Sequence, residues 1–189
     1  MRDSMAWVGT GGGPLIVIPA EFAPLWRGGE EWSPPRGPAQ RGGDASRFRS
    51  DYDRACAVDD YLGSLNVGVG RALILGDEPM MTAFVPQPAG GLLVRWMYGE
   101  DDGAVSRAVC AIPVEVWKTT PHQLPVGWGE ILVFDSAYPG DALPVSIEGG
   151  TTPWLRIALP QGNYHIDTAV YCPDESTSLV LHRLRGNRD

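Results

Sequence analysis

GNYHIDTAVYCPDESTSLVLHRL, residues 162–184, is the stretch whose reading decides the fold. Over 164–172 the side chains alternate: Tyr164, Ile166, Thr168, Val170 and Cys172 fall on one face, His165, Asp167, Ala169 and Tyr171 on the other. A period of two with the apolar set on one side is what a half-solvated antiparallel strand requires. Pro173, Asp174, Glu175 and Ser176 supply turn residues, and 178–184 is a second apolar run, so the stretch predicts a hairpin. On its apolar face Cys172 is expected to be a packed core thiol.

Similar runs recur outward from this hairpin at 15–18, 72–75, 82–85, 92–98, 131–134 and 155–159, nearly all bounded by turn residues. Two segments read as helices. One opens on Glu100, Asp101 and Asp102, acids suited to the positive end of a helix, carries Val105, Ala108, Val109 and Ile112 at helical spacing, and stops before Pro113. The other runs from Tyr52 to Leu62, with Ala55, Val58 and Leu62 on one side. The expected fold is mainly β within the α+β class: antiparallel sheets, with two short helices, in a single domain over 1–189.

An internal duplication of about 13–98 and 129–185 is one reading of the spacings. Gly76 precedes Thr82-Ala83 as Gly162 precedes Thr168-Ala169, and Pro86 precedes Leu92-Leu93-Val94-Arg95 as Pro173 precedes Leu179-Val180-Leu181-His182. GPLIVI at Gly13 has a counterpart in GEILVF at Gly129. The other reading is two unrelated hairpins closed by Pro-containing turns. The first half would carry an extra segment at 27–50, RGGEEWSPPRGPAQRGGDASRFRS from Arg27, which lacks periodicity and reads as an irregular loop; Trp32 or Phe48 could anchor it on a partner.

With 43% apolar and 20% charged residues the chain has the makeup of a folded globule. Its net charge of −8 repels phosphate backbones, so a nucleic-acid partner is not expected and a basic one is. The three cysteines, Cys56, Cys110 and Cys172, form no C-x-x-C pair, which fits a reducing cytoplasm better than a disulfide framework. MRDSMAWVGTGGGP shows no basic start followed by an apolar core, so neither signal peptide nor membrane span is expected. Gly9–Pro14 precedes its strand instead of following one, the wrong order for a phosphate-binding loop, and reads as a flexible approach to the strand.

No metal site, cofactor or catalytic group is expected. His122 follows Pro121 in a segment that reads as a loop, His165 lies on a polar face, and His182 lies in the last strand beside Arg183. A Cys172–His182 pair across the hairpin is set aside because Cys172 falls on the apolar side. What remains is charge. Residues 55–104 hold seven carboxylates, Asp59, Asp60, Asp77, Glu78, Glu100, Asp101 and Asp102, against Arg71 and Arg95. Asp77 and Glu78 sit in a Gly-Asp-Glu-Pro turn whose geometry, on sequence grounds, needs only the Gly and the Pro, leaving the acids free to meet a partner.

Four blocks, GGPLIVIPAEFAPLW, DYDRACAVDDYLG, ALILGDEP and SLVLHRL, resemble the bacterial immunity proteins of polymorphic toxin systems, in particular the immunity protein 21 family, over about residues 12–184. The resemblance implies a cytoplasmic antitoxin, not an enzyme, that binds a toxin domain delivered by neighbouring cells or encoded beside it. The partner-binding candidates are then Asp77, Glu78, Asp59, Asp60, Glu100, Asp101, Asp102 and Trp32. The alternative is a small-molecule-binding domain or small enzyme on the same β scaffold.

Overall fold

The computed structural model describes residues 5–29, 31, 48–145 and 152–186. They form eleven strands, β1 (Trp7–Val8), β2 (Leu15–Pro19), β3 (Gly63–Val67), β4 (Gly70–Leu75), β5 (Met81–Gln87), β6 (Gly90–Tyr98), β7 (Lys118–Val126), β8 (Glu130–Asp135), β9 (Trp154–Ala158), β10 (Gly162–Asp174) and β11 (Thr177–Gly186), and two helices, α1 (Asp51–Cys56) and α2 (Asp102–Val109). The strands make two antiparallel sheets. Sheet A has the order β1-β5-β6-β11-β10-β7 and sheet B the order β3-β4-β2-β8-β9. The mainly-β reading holds.

The sheets pack face to face. Leu15, Val17, Leu73, Leu75, Ile131, Val133, Leu155 and Ile157 of sheet B meet Leu93, Leu124, Val126, Tyr164, Ile166 and Leu184 of sheet A. β2 is buried along its whole length because it packs on both sides: Ile16 and Ile18 point to the other face of sheet B, beside Phe134 of β8, where Trp26 and Ala55 pack on them. That explains LIVIP as an uninterrupted apolar run in place of an alternating one. The outer face of sheet A carries Leu92, Val94, Leu179 and Leu181, and the apolar side of α2, Val105 and Ala108, closes over them.

Three strands lie where the sequence shows none. β7 contains Pro121 and Pro125, which cannot donate to a ladder; it is tolerated because it is the edge of sheet A. His122 therefore stands in a strand and not in a loop. β3 carries Gly63 and Asn66, both poor strand formers, and β1 is only two residues long. The helix expected over 52–62 ends at Cys56. Ser50 and Asp53 close a reciprocal capping box at its start, but Leu62 belongs to the core between the sheets and Ala55 to the outer face of sheet B, so one helix face could not serve both. Of the 27–50 segment, residues 30 and 32–47, including Trp32, lie outside the described residues.

Candidate functional site

The acidic turns are organised by a buried cation. Arg95 of β6 is 1% exposed, and its guanidinium donates to four backbone carbonyls: Nη1 to Tyr61 O at 2.8 Å, and Nη2 to Gly76 O and Glu78 O at 2.8 Å each and to Leu75 O at 3.4 Å. The Tyr61 ring lies 5.9 Å from the guanidinium carbon. Burial pushes its pKa down to about 10, against the pull of Asp77, Tyr61 and Glu78, so it stays charged at neutral pH. One side chain thus ties the turn after β4 to the segment before β3. The two are in direct contact: a Cβ added to Gly76 would come within 2.5 Å of Asp60 O and 2.9 Å of Val58 O.

Asp59, Asp60, Asp77 and Glu78 are all exposed on these two turns. Asp59 and Asp77 also line one depression of about 310 Å³, with Gly12, Gly13, Tyr52 and Cys56 on its other walls. The expectation that Asp77 plays no part in turn geometry is corrected: its φ is +63°, a left-handed conformation that Asp and Asn tolerate and most side chains resist. Glycine is also needed in the approach to β2, where a Cβ on Gly13 would strike the Tyr52 ring, and Gly11 N donates to Asp135 Oδ2 at 2.9 Å. That loop is more built than a flexible lead-in.

The other three carboxylates stand at the start of α2. Glu100 is exposed. Asp101 caps the helix through Ala104 N at 2.7 Å, and Asp102 accepts from Trp7 Nε1 at 2.8 Å. Since Met81 pairs with Trp96, the start of β5 and the end of β6 lie side by side, and both acidic groups flank this end of sheet A. Arg95 ties only the first group.

Next to Asp60 opens a cleft of about 430 Å³, bounded by Tyr61 and Leu62 on one wall, Lys118 and His122 of β7 on the other, and Thr168 and Val170 of β10 as its floor. The register of β7 on β10 shifts between His165 and Asp167, and His122 Nδ1 lies 3.1 Å from Ser64 Oγ of sheet B. Burial lowers the His122 pKa, leaving a neutral imidazole at pH 7. Beneath the floor, His182 is fully buried with Nδ1 3.1 Å from Thr168 Oγ1. Cys172 is not a core thiol. It is exposed, with Sγ 3.3 Å from Ser178 Oγ, because β10 extends past the last residues that sheet B covers. Cys172 and His182 each bond elsewhere and do not meet.

A further polar cluster lies on the opposite face of sheet A. Asp167, 2% exposed, accepts from both Arg183 and Arg185, and Arg183 stacks 4.3 Å from the Trp117 ring centre. Burial alone would raise the Asp167 pKa; the two guanidinium partners outweigh it and hold the carboxyl below its ordinary range. Among the described residues no group of three or more His, Cys, Asp or Glu is placed to hold a metal ion, and no helix is long and apolar enough to cross a membrane.

The sequence pattern of the family described as Immunity protein 21 matches residues 6–177. The chain belongs to this family. No curated protein and no solved structure matches it. Membership in an immunity-protein family implies a toxin as protein partner in general terms. Within that frame the residue sequence reasoning passed over is Arg95, counted only as a charge. Its signal was a lone arginine at an inward position of the apolar run Leu92-Leu93-Val94-Arg95-Trp96-Met97, where a charge is found only if something buried accepts from it.

Proposed function

We propose that this chain is a cytoplasmic antitoxin of a polymorphic toxin system that binds a cognate toxin domain and neutralises it, without catalysis, by covering a basic active-site surface. The observation that carries the reading is the pair of turns locked by Arg95, which presents Asp59, Asp60, Asp77 and Glu78 together on a chain of net charge −8. A preformed acidic surface speeds encounter with a basic partner and costs little ordering on binding. Glu100, Asp101 and Asp102 extend the acidic end in this proposal, and Trp32 is a further candidate for contact with the toxin.

The test is binding kinetics of the Asp77→Asn, Glu78→Gln double variant with the toxin domain encoded beside this chain. Asn keeps the left-handed backbone of position 77, so the fold is spared while two charges go. Association at low salt is expected to slow by about three- to tenfold, with a weaker dependence on salt. An unchanged association rate at low salt removes this turn from the interface.

The alternative, a small-molecule-binding domain or small enzyme, has its best observation in the cleft that brings Asp60 and His122 together. Two of its hydroxyls are committed: Thr120 Oγ1 donates to Ile166 O at 2.7 Å and Thr168 Oγ1 to Leu181 O at 3.2 Å. Both protons are spent on backbone carbonyls, which disfavours nucleophilic chemistry at these two hydroxyls.

A further inference from the structure

We infer that the cleft between the Asp60–Leu62 turn and β10 receives an apolar side chain of the toxin, carried on a segment with a Lys or Arg beside it. This rests on the reading that a basic toxin docks at the acidic end.

An exposed valine stands where a buried one belongs. The inward series of β10 runs Tyr164, Ile166, Thr168, Val170. Tyr164 and Ile166 enter the core between the sheets; Val170 does not, and is 53% exposed. Sheet A is built from strands of 9 to 13 residues at this end, whereas β2, β3 and β9 have five, so its inner face overhangs. The overhang is walled on one side by Tyr61 and Leu62 and on the other by β7, giving an apolar floor in a cleft instead of an open face. The floor is fixed, since Thr168 is held by both Leu181 O and His182.

Charge complementarity decides the occupant. At one mouth stands Asp60, continuous through the Arg95 bonds with Asp59, Asp77 and Glu78; on the β7 wall stands Lys118. A cation is attracted to the first and repelled by the second, so the guest's basic residue faces the Asp60 side. An apolar anchor filling a preformed pocket beside a charged rim is the arrangement in which a few residues carry most of the binding energy.

Three native thiols report on the proposal. Cys172 lies two residues beyond Val170, Cys56 lines the depression shared by Asp59 and Asp77, and Cys110 caps the far end of α2 on the other face of sheet A; all three are exposed. Iodoacetamide labelling, read peptide by peptide in the free protein and in its complex with the toxin domain encoded beside it, is expected to slow at least tenfold at Cys172 and Cys56 and to stay unchanged at Cys110. Val170→Asp, at an exposed position, is expected to raise the dissociation rate at least tenfold. Unprotected Cys172, or unchanged dissociation of Val170→Asp, overturns the cleft assignment. If Cys56 is protected in that case the acidic end survives as the contact; if neither thiol is protected in a formed complex, both readings fall.

Discussion

His182 should make this protein acid-sensitive over a defined window. With Thr168 Oγ1 donating to Leu181 O, the tautomer assigned to His182 carries its proton on Nδ1 and donates it to Thr168 Oγ1. The lone pair is then on Nε2, a buried atom without a partner. Protonation there would create an unpaired buried cation. Burial, with Arg95 and His122 adding to it, pushes the pKa down to about 3 from an ordinary 6.5. Between those values the unfolded chain takes up a proton that the folded chain refuses, so stability falls as pH falls. At pH 4.5, two units below the unfolded value, the loss is about 2.7 kcal/mol, against about 0.2 kcal/mol at pH 7. His182→Asn keeps an amide that can donate to Thr168 and cannot titrate. At pH 7 it should be less stable by about 1–2 kcal/mol, for the cavity left by the smaller side chain. Urea unfolding followed by tryptophan fluorescence at pH 7, 6, 5 and 4.5 should show the gap between the two proteins shrinking by about 2.5 kcal/mol and changing sign. The carboxylates titrate in both proteins and cancel in the difference. Parallel stability curves would refute a buried neutral His182.

The Asp167 cluster gives a second acid-dependent contribution of the carboxylate kind: its lowered folded pKa stabilises above the unfolded value near 3.9 and is lost as pH falls through the folded one. Asp167→Asn should cost about 2 kcal/mol at pH 7, less than a fully buried pair because both arginines are partly exposed, and should flatten the stability curve below pH 4. Replacing residues 30–47 with a short Gly/Ser linker should leave the fold intact, because the flanks are already joined: Arg27 N donates to Asp51 Oδ2 and Tyr52 N to Gly28 O, both at 3.0 Å. The shorter closure is worth about 1 kcal/mol in favour of the deletion, and a drop in melting temperature would show that the segment packs on the domain.

β10, covered on one face over much of its length, was legible because alternation reports which side is wet, and β5, β6 and β11 were legible as apolar runs bounded by turn residues. Alternation did not say how far the opposite sheet reaches, which is why Cys172 was assigned to the core and lies outside it. β7 was hidden by prolines whose cost vanishes at an edge. In the site, the acids were visible as composition. Their grouping was not, since it depends on Arg95 reaching carbonyls 17 to 34 residues away, a relation that no local pattern encodes.

We propose that the chain arose by duplication of halves near 13–98 and 129–185, with β3 and the 27–50 loop as additions to the first. Matching β1, β2, β4, β5 and β6 with β7, β8, β9, β10 and β11, which extends the halves upstream to Trp7 and Lys118, makes each sheet order read alike from both ends, apart from β3. Register at the two seams supports the matching. GPLIVI aligned with GEILVF equates Val17 with Val133, and these pair directly, while Ile16 with Phe134 and Ile18 with Leu132 exchange under the same rule. The spacing that follows the two prolines equates Val94 with Leu181, which also pair, flanked by Leu93 with His182 and Arg95 with Val180. An approximate two-fold axis through both seams would produce these registers, and chance hairpins have no reason to. On this matching Arg95 corresponds to His182, and Thr82 to Thr168, each pair adjacent across its own hairpin. The halves then diverged at one polar, buried position. In the second it became a neutral imidazole under the cleft; in the first it became the cation that gathers the carbonyls of the acidic turn, whose Asp77 has only Asn163 as its counterpart.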